Sequence, residues 1–192
     1  MIKHLAVLFA AVFLCPAVFA QGAATGNDKV TVTNIQMPAN SDTGQISGDL
    51  SDGSKLSSLR WAESSSVACF PGTRFEQFNG SHVFYRVTLP AASSMKITLK
   101  PEEGKKINLY ALRQSARGEQ PVPPNVSSAI SCEASYPIYA NVSPTRRVQN
   151  EDKGRSVEYI SVGSPYSILI GVAGAEGLTE GSFDLIIEIK SR

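Results

Sequence analysis

One feature constrains this chain more than any other: a period-two alternation of apolar and polar residues that occurs twice. Within Tyr166 to Ile189, the residues Ile168, Ile170 and Val172 alternate with Ser167, Leu169 and Gly171. A Gly-rich stretch from Gly174 to Gly181 follows. Then Phe183, Leu185, Ile187 and Ile189 alternate with Ser182, Asp184, Ile186 and Glu188. Residues His82 to Leu99 repeat the arrangement. Val83, Tyr85, Val87 and Leu89 share one face, His82, Phe84, Arg86 and Thr88 the other, Pro90 breaks the run, and Met95, Ile97 and Leu99 resume it. Successive side chains of a strand point to opposite faces, so this spacing buries one face and leaves the other wetter. Each block reads as strand, turn, strand, with Tyr166 to Ile189 as the closing hairpin. An isolated sheet with one apolar face must cover it, which sets the class as all-β, a sandwich or barrel.

The rest of the chain fits that frame. Lys29 to Met37, Gln45 to Leu50, Ile107 to Leu112 and Ser156 to Val162 also read as strands, giving about nine in all with no amphipathic helix. Ser64 to Gly80, Arg113 to Ser128 and Ala134 to Gly154 read as irregular, rich in Pro, Gly and charge. The N-terminus has the physics of a secretory leader over residues 1–20. Lys3 and His4 precede an apolar stretch, Leu5 to Leu14, that is too short to span a bilayer, and Val18 and Ala20 place small residues before a cleavage point after Ala20. The short, weakly basic leader looks bacterial and predicts a periplasmic or secreted protein. Residues 21–28 read as a disordered N-terminus and 29–192 as a single domain.

Charge removes several functional classes. The 192 residues carry 18 Lys and Arg against 17 Asp and Glu, and cleavage would take away Lys3. The mature chain is then close to neutral with no long run of either sign. That argues against a nucleic-acid partner, which needs a concentrated basic surface. No further apolar segment of spanning length follows the leader, so no membrane span is expected after its removal. Cys69 and Cys132 are the two cysteines left. In an oxidising compartment they pair or stay free, and a thiol nucleophile would want a histidine base, of which only His82 remains, so the reading favours a disulfide.

Residues 82–190 resemble the bacterial pre-peptidase C-terminal domain, a jelly-roll-like antiparallel β-sandwich found beside secreted peptidases. The residues that carry the resemblance are Val83-Phe84-Tyr85-Arg86-Val87-Thr88-Leu89-Pro90-Ala91, Met95-Lys96-Ile97-Thr98-Leu99 and Ile107-Asn108-Leu109-Tyr110, with Tyr166 to Ile170 and Gly181 to Ile186 closing the block. The chain departs from the family's pattern at Asn108, where an aspartate is common, and in the longer stretch from Arg113 to Gly154. Related modules bind calcium through clustered carboxylates, and no such cluster is evident.

Searches for chemistry return little. One histidine and two cysteines make no zinc set. Glu102-Glu103 and Glu151-Asp152 read as solvated turn carboxylates rather than as calcium ligands. No Gly-x-Ser-x-Gly elbow occurs, and Asp184 and Glu188 share the polar face of a strand rather than opposing each other across a cleft. The expectation is therefore no metal, no cofactor and no catalysis. Trp61, Phe70, Phe75, Phe78, Tyr136 and Tyr139 lie outside the cleanest strands. They read either as a loop-built binding patch near Cys69 and Cys132 or as plugs for the ends of the sandwich. The function expected is an exported, non-catalytic module that binds or positions a protein or a cell-envelope polymer, docking through an edge strand. The alternatives are a carbohydrate-binding module using those aromatics and a structural subunit of an envelope assembly.

Overall fold

The computed structural model describes residues 30–39, 41–137, 139–143, 146–149 and 155–192. The leader, its cleavage point and residues 21–28 lie outside the described residues.

Twelve strands follow in chain order: β1 (Val32–Asn34), β2 (Thr43–Asp49), β3 (Ser54–Lys55), β4 (Ser81–Leu89), β5 (Ser93–Pro101), β6 (Ile107–Ser115), β7 (Ser131–Ser135), β8 (Tyr139–Ser143), β9 (Arg146–Gln149), β10 (Arg155–Ser161), β11 (Tyr166–Gly174) and β12 (Ser182–Ser191). One sheet runs β1-β4-β11-β6-β7, with β3 also on β4; the other runs β10-β5-β12-β2; β8 and β9 pair only with each other. All pairings are antiparallel except β1 with β4. The chain is all-β, a jelly-roll-like sandwich. The strands beyond those expected, β3, β7, β8 and β9, have two to five residues each, too few for alternation to stand out.

Neither alternating block is a hairpin. β4 pairs with β11 in the first sheet, β5 pairs with β12 in the second, and each block crosses from one sheet to the other. The two arches nest, Leu89 opposite Tyr166 in one sheet and Leu185 opposite Leu99 in the other. Alternation alone cannot separate the cases, because both need one apolar face per strand. In an arch the two apolar faces look at each other across the interior. That interior is built from Val83, Tyr85, Val87 and Leu89 of β4, Met95, Ile97 and Leu99 of β5, Ile168, Ile170 and Val172 of β11, and Phe183, Leu185 and Ile187 of β12. Each fully buried aliphatic there contributes roughly 1.5–3 kcal/mol relative to exposure.

The face read as wetter on β4 is buried over half its length. His82 and Phe84 are 2 % exposed, and a second apolar layer lies on the outer face of the first sheet. Its base is Phe84, Tyr110, Leu112, Leu169 and Ala173; its cover is Trp61, Ala62, Val67, Phe70, Phe78 and Val126 from the irregular segments. The cover is a strap of short 3-10 turns, Arg60–Glu63 and Gly72–Gln77. Cys69 of the strap is disulfide-bonded to Cys132 of β7, their Cα atoms 4.8 Å apart. Among the described residues, the outer face of the second sheet carries no such layer.

Candidate interaction site

Five of the six aromatic residues singled out in the sequence come together, as packing. Phe70 stacks on Phe78 at 4.1 Å between centroids, Trp61 meets Tyr110 at 5.6 Å, and Phe78 meets Tyr136 at 5.3 Å. Trp61, Phe70 and Phe78 are buried, while Phe75 and Tyr136 pack against them half-buried. Tyr139 falls in β8, apart from this group in the chain, and its side chain is outside the described residues. The sandwich ends are not what these rings fill; they glue the strap to a sheet face.

His82 is the polar centre of this layer. Its Nε2 lies 2.7 Å from the carbonyl oxygen of Phe78, which only accepts, so Nε2 carries the proton and donates. Nδ1 is then the acceptor, and the Tyr110 hydroxyl donates to it at 2.9 Å. Burial pushes the histidine pKa down to about 4 and raises that of Tyr110 well above its ordinary value. A neutral imidazole with both nitrogens occupied holds the layer together and offers no free base. Tyr110 itself lies across Gly171, its cross-strand partner on β11, where a Cβ would run into the ring. Asn108, the departure from the family's aspartate, also has a local reason. Its amide donates to the Gln77 carbonyl at 2.7 Å while its oxygen accepts from Arg155 Nε at 2.9 Å, and a carboxylate could not do the first.

With this layer filled, the accessible surfaces are sheet edges and the bare face of the second sheet. The two sides of the sandwich differ. On the β7/β10 side, side chains seam the sheets: Tyr159 donates its hydroxyl to the Ala111 carbonyl at 2.5 Å, Arg113 donates to the Ile160 carbonyl at 3.1 Å, and Ser156 N–H donates to Ser135 Oγ at 3.1 Å. On the opposite side, β1 and β3 have three and two residues, whereas β2 presents seven.

The hydrogen bonds that flank β2 fix its orientation. Ile189 N–H donates to Asp42 O at 2.7 Å and Leu50 N–H to Gly181 O at 3.1 Å. Alternate residues of an antiparallel strand bond to the same neighbour, so the even positions of β2 face β12 and the odd ones face away. Ser41 Oγ satisfies Thr43, accepting from its N–H at 3.1 Å and donating to its carbonyl at 2.8 Å. The backbone groups of Gln45 and Ser47 have no partner among the described residues. The strand has no Pro, no Lys and no bulge, the usual devices that blunt an edge. Gly48 lies flat against Tyr85 and Phe183, so β2 closes the core with Ile46 and little else. At its start the edge runs into a groove of about 530 Å³ lined in part by Met37, Asp42, Pro90 and Ile189. Asp49, at the far end, is held below the usual carboxylate range first by the Ser51 backbone N–H. Sequence reading named an edge strand but not which one, since that depends on strand order.

Among the described residues, no three His, Cys, Asp or Glu side chains converge as a metal site, and no helix is long and apolar enough to cross a membrane. Glu102 accepts from the Ser182 N–H and hydroxyl, both at 3.1 Å, and so ties a turn to β12; Glu151 and Asp152 lie outside the described residues.

Fold and edge together define a two-sheet β-sandwich sealed on one side and open on the other. No protein-family model matches the chain. No curated protein matches it either. Among solved structures it is similar to PliG of Aeromonas hydrophila, a periplasmic inhibitor of g-type lysozyme, at 16 % identity over 85 % of this chain and 99 % of that one, with a TM-score of 0.42. It is similar to the pre-peptidase C-terminal domain of a Bacillus anthracis collagenase at 10 % identity over 85 % and 99 % of the two chains, TM-score 0.39. It is also similar to CorA, a surface-associated copper-binding protein of Methylomicrobium album BG8, at 10 % identity over 85 % and 98 %, TM-score 0.38. The family that residues 82–190 resemble in sequence is therefore among these structures.

Proposed function

We propose that this chain is an exported, non-catalytic module that binds a protein by accepting an extended segment on β2. The observation that carries the reading is the pair of backbone units at Gln45 and Ser47 with no partner among the described residues, on a strand without Pro, Lys or bulge. Donor and acceptor groups repeating every second residue are matched by another β-strand, and main-chain pairing of this kind is a standard mode of peptide capture. The disulfide supports an oxidising, extracytoplasmic location. The absence of a free base at His82 supports a binding rather than a catalytic role.

The test is Gln45→Pro. It deletes an outward N–H without touching the ladder to β12, and proline is tolerated on edge strands. The variant should keep its melting temperature within a few degrees of the parent. It should lose the proteins that the parent captures from the envelope and medium of the source cell. Identical capture by both chains sinks the edge reading. So does a concentration-dependent dimer that the substitution dissolves, because the edge would then serve self-assembly.

A further inference from the structure

The charge beside the free edge narrows what can dock there. On the open face of the second sheet, β2 shows Thr43, Gln45, Ser47 and Asp49. The next strand, β12, shows Asp184, Ile186 and Glu188, with Lys190 the one cation of the two strands, at the end. Register places Asp184 directly behind Ser47 and Glu188 directly behind Thr43. Asp184 receives only the Ser47 hydroxyl, at 2.7 Å, and neither carboxylate forms an ion pair among the described residues. On the far side of β12, register puts Lys100 opposite Asp184 and Lys96 opposite Glu188; neither forms an ion pair with them among the described residues, and Lys96 pairs with Glu158 at 3.9 Å.

We infer that the segment docking on β2 carries two basic side chains four residues apart on its solvent face. A residue of an added strand opposite Ser47 or Thr43 stands about 10 Å, two inter-strand spacings, from β12. A lysine or arginine stem laid over the short Ser47 or Thr43 side chain reaches Asp184 or Glu188 across that distance. Positions four apart in an extended chain share a face, so one segment meets both carboxylates at once, in either strand direction. The neighbours Gln45 and Ile186, between the two rows, ask for no charge. This inference rests on the edge reading and selects among the peptides that reading would admit.

The probe is a labelled seven-residue peptide with lysines second and sixth and with threonine and valine elsewhere. Its controls have both lysines replaced by glutamine, or one lysine shifted by a single position so that the charges fall on opposite faces. Two exposed charge pairs contribute about fivefold in affinity, roughly 1 kcal/mol, and lose it as salt is raised. Fluorescence anisotropy should rank the paired-lysine peptide about fivefold above both controls, and the double variant Asp184→Asn with Glu188→Gln should erase that preference while still binding all three. Equal binding of the three peptides by the parent, or a preference that survives the double variant, overturns the basic-segment inference and leaves the edge reading standing. Undiminished binding of all three by Gln45→Pro, or no binding of any by the parent, overturns the edge reading itself.

Discussion

Replacing His82 by glutamine isolates the titration of the buried imidazole in the second layer. Glutamine keeps a donor for the Phe78 carbonyl and an acceptor for the Tyr110 hydroxyl, but it does not ionise. In the parent chain the imidazole titrates near 6.5 when unfolded and at about 4 when folded. The unfolded chain therefore takes up the proton first as pH falls. Stability that is fully present above pH 6.5 drains away down to about pH 4, at about 1.4 kcal/mol per pH unit, or about 3 kcal/mol in total. The glutamine variant starts lower at pH 7, by about 1 kcal/mol for an imperfect fit. It should then overtake the parent near pH 5 to 6 on this slope. Trp61, the single tryptophan of the sequence, is buried against Tyr110 and reports unfolding of this layer directly. Urea titrations followed by its fluorescence at pH 7, 6, 5 and 4 give the two stability curves. A parent-to-variant difference that stays constant across these pH values refutes the reasoning, as would an NMR titration of His82 with its midpoint near 6.5.

Three further outcomes follow from the same layer. Gly171→Ala drives a methyl into the Tyr110 ring and should lower stability by about 1–3 kcal/mol, read as a fall in melting temperature. Reducing Cys69–Cys132, which are 63 residues apart in sequence, should cost about 4 kcal/mol in the chain-entropy account; urea titrations with and without reductant measure it, and thiol titration of the denatured, unreduced protein should find none from this pair. Trp61→Ala should cost about 3–5 kcal/mol by leaving a cavity, with the loss seen in thermal unfolding rather than as a selective loss of glycan binding.

Much of the fold was legible because alternation is a local signal. β4, β5, β11 and β12 can be read within a residue or two of their ends, since each puts three or four large apolar side chains on one face. What alternation does not encode is the partner, and so the arch from Tyr166 to Ile189 passed for a hairpin. The second layer was harder for a different reason. Its cover has no period at all, because the strap packs through isolated residues such as Trp61, Phe70 and Phe78 placed by short turns. A clue lay in its base. Leu109-Tyr110-Ala111-Leu112 and Ile168-Leu169-Ile170 are apolar on both faces, the mark of a strand covered on both sides. The disulfide was legible by counting alone. The β2 edge was not, since Thr-Gly-Gln-Ile-Ser-Gly-Asp says nothing about lying outermost until the order of the second sheet is known.

The nested arches have a consequence for the order in which the sheets can close. His82 finds its partner at Ala173, and β2 pairs with β12, the last of the described strands. Contacts are overwhelmingly distant in sequence, so folding is correspondingly slow. The first sheet can close once β11 is in place, but the second cannot until β12 joins β2 to β5. The same wiring that gives the finished sandwich its interior makes its second sheet wait for β12.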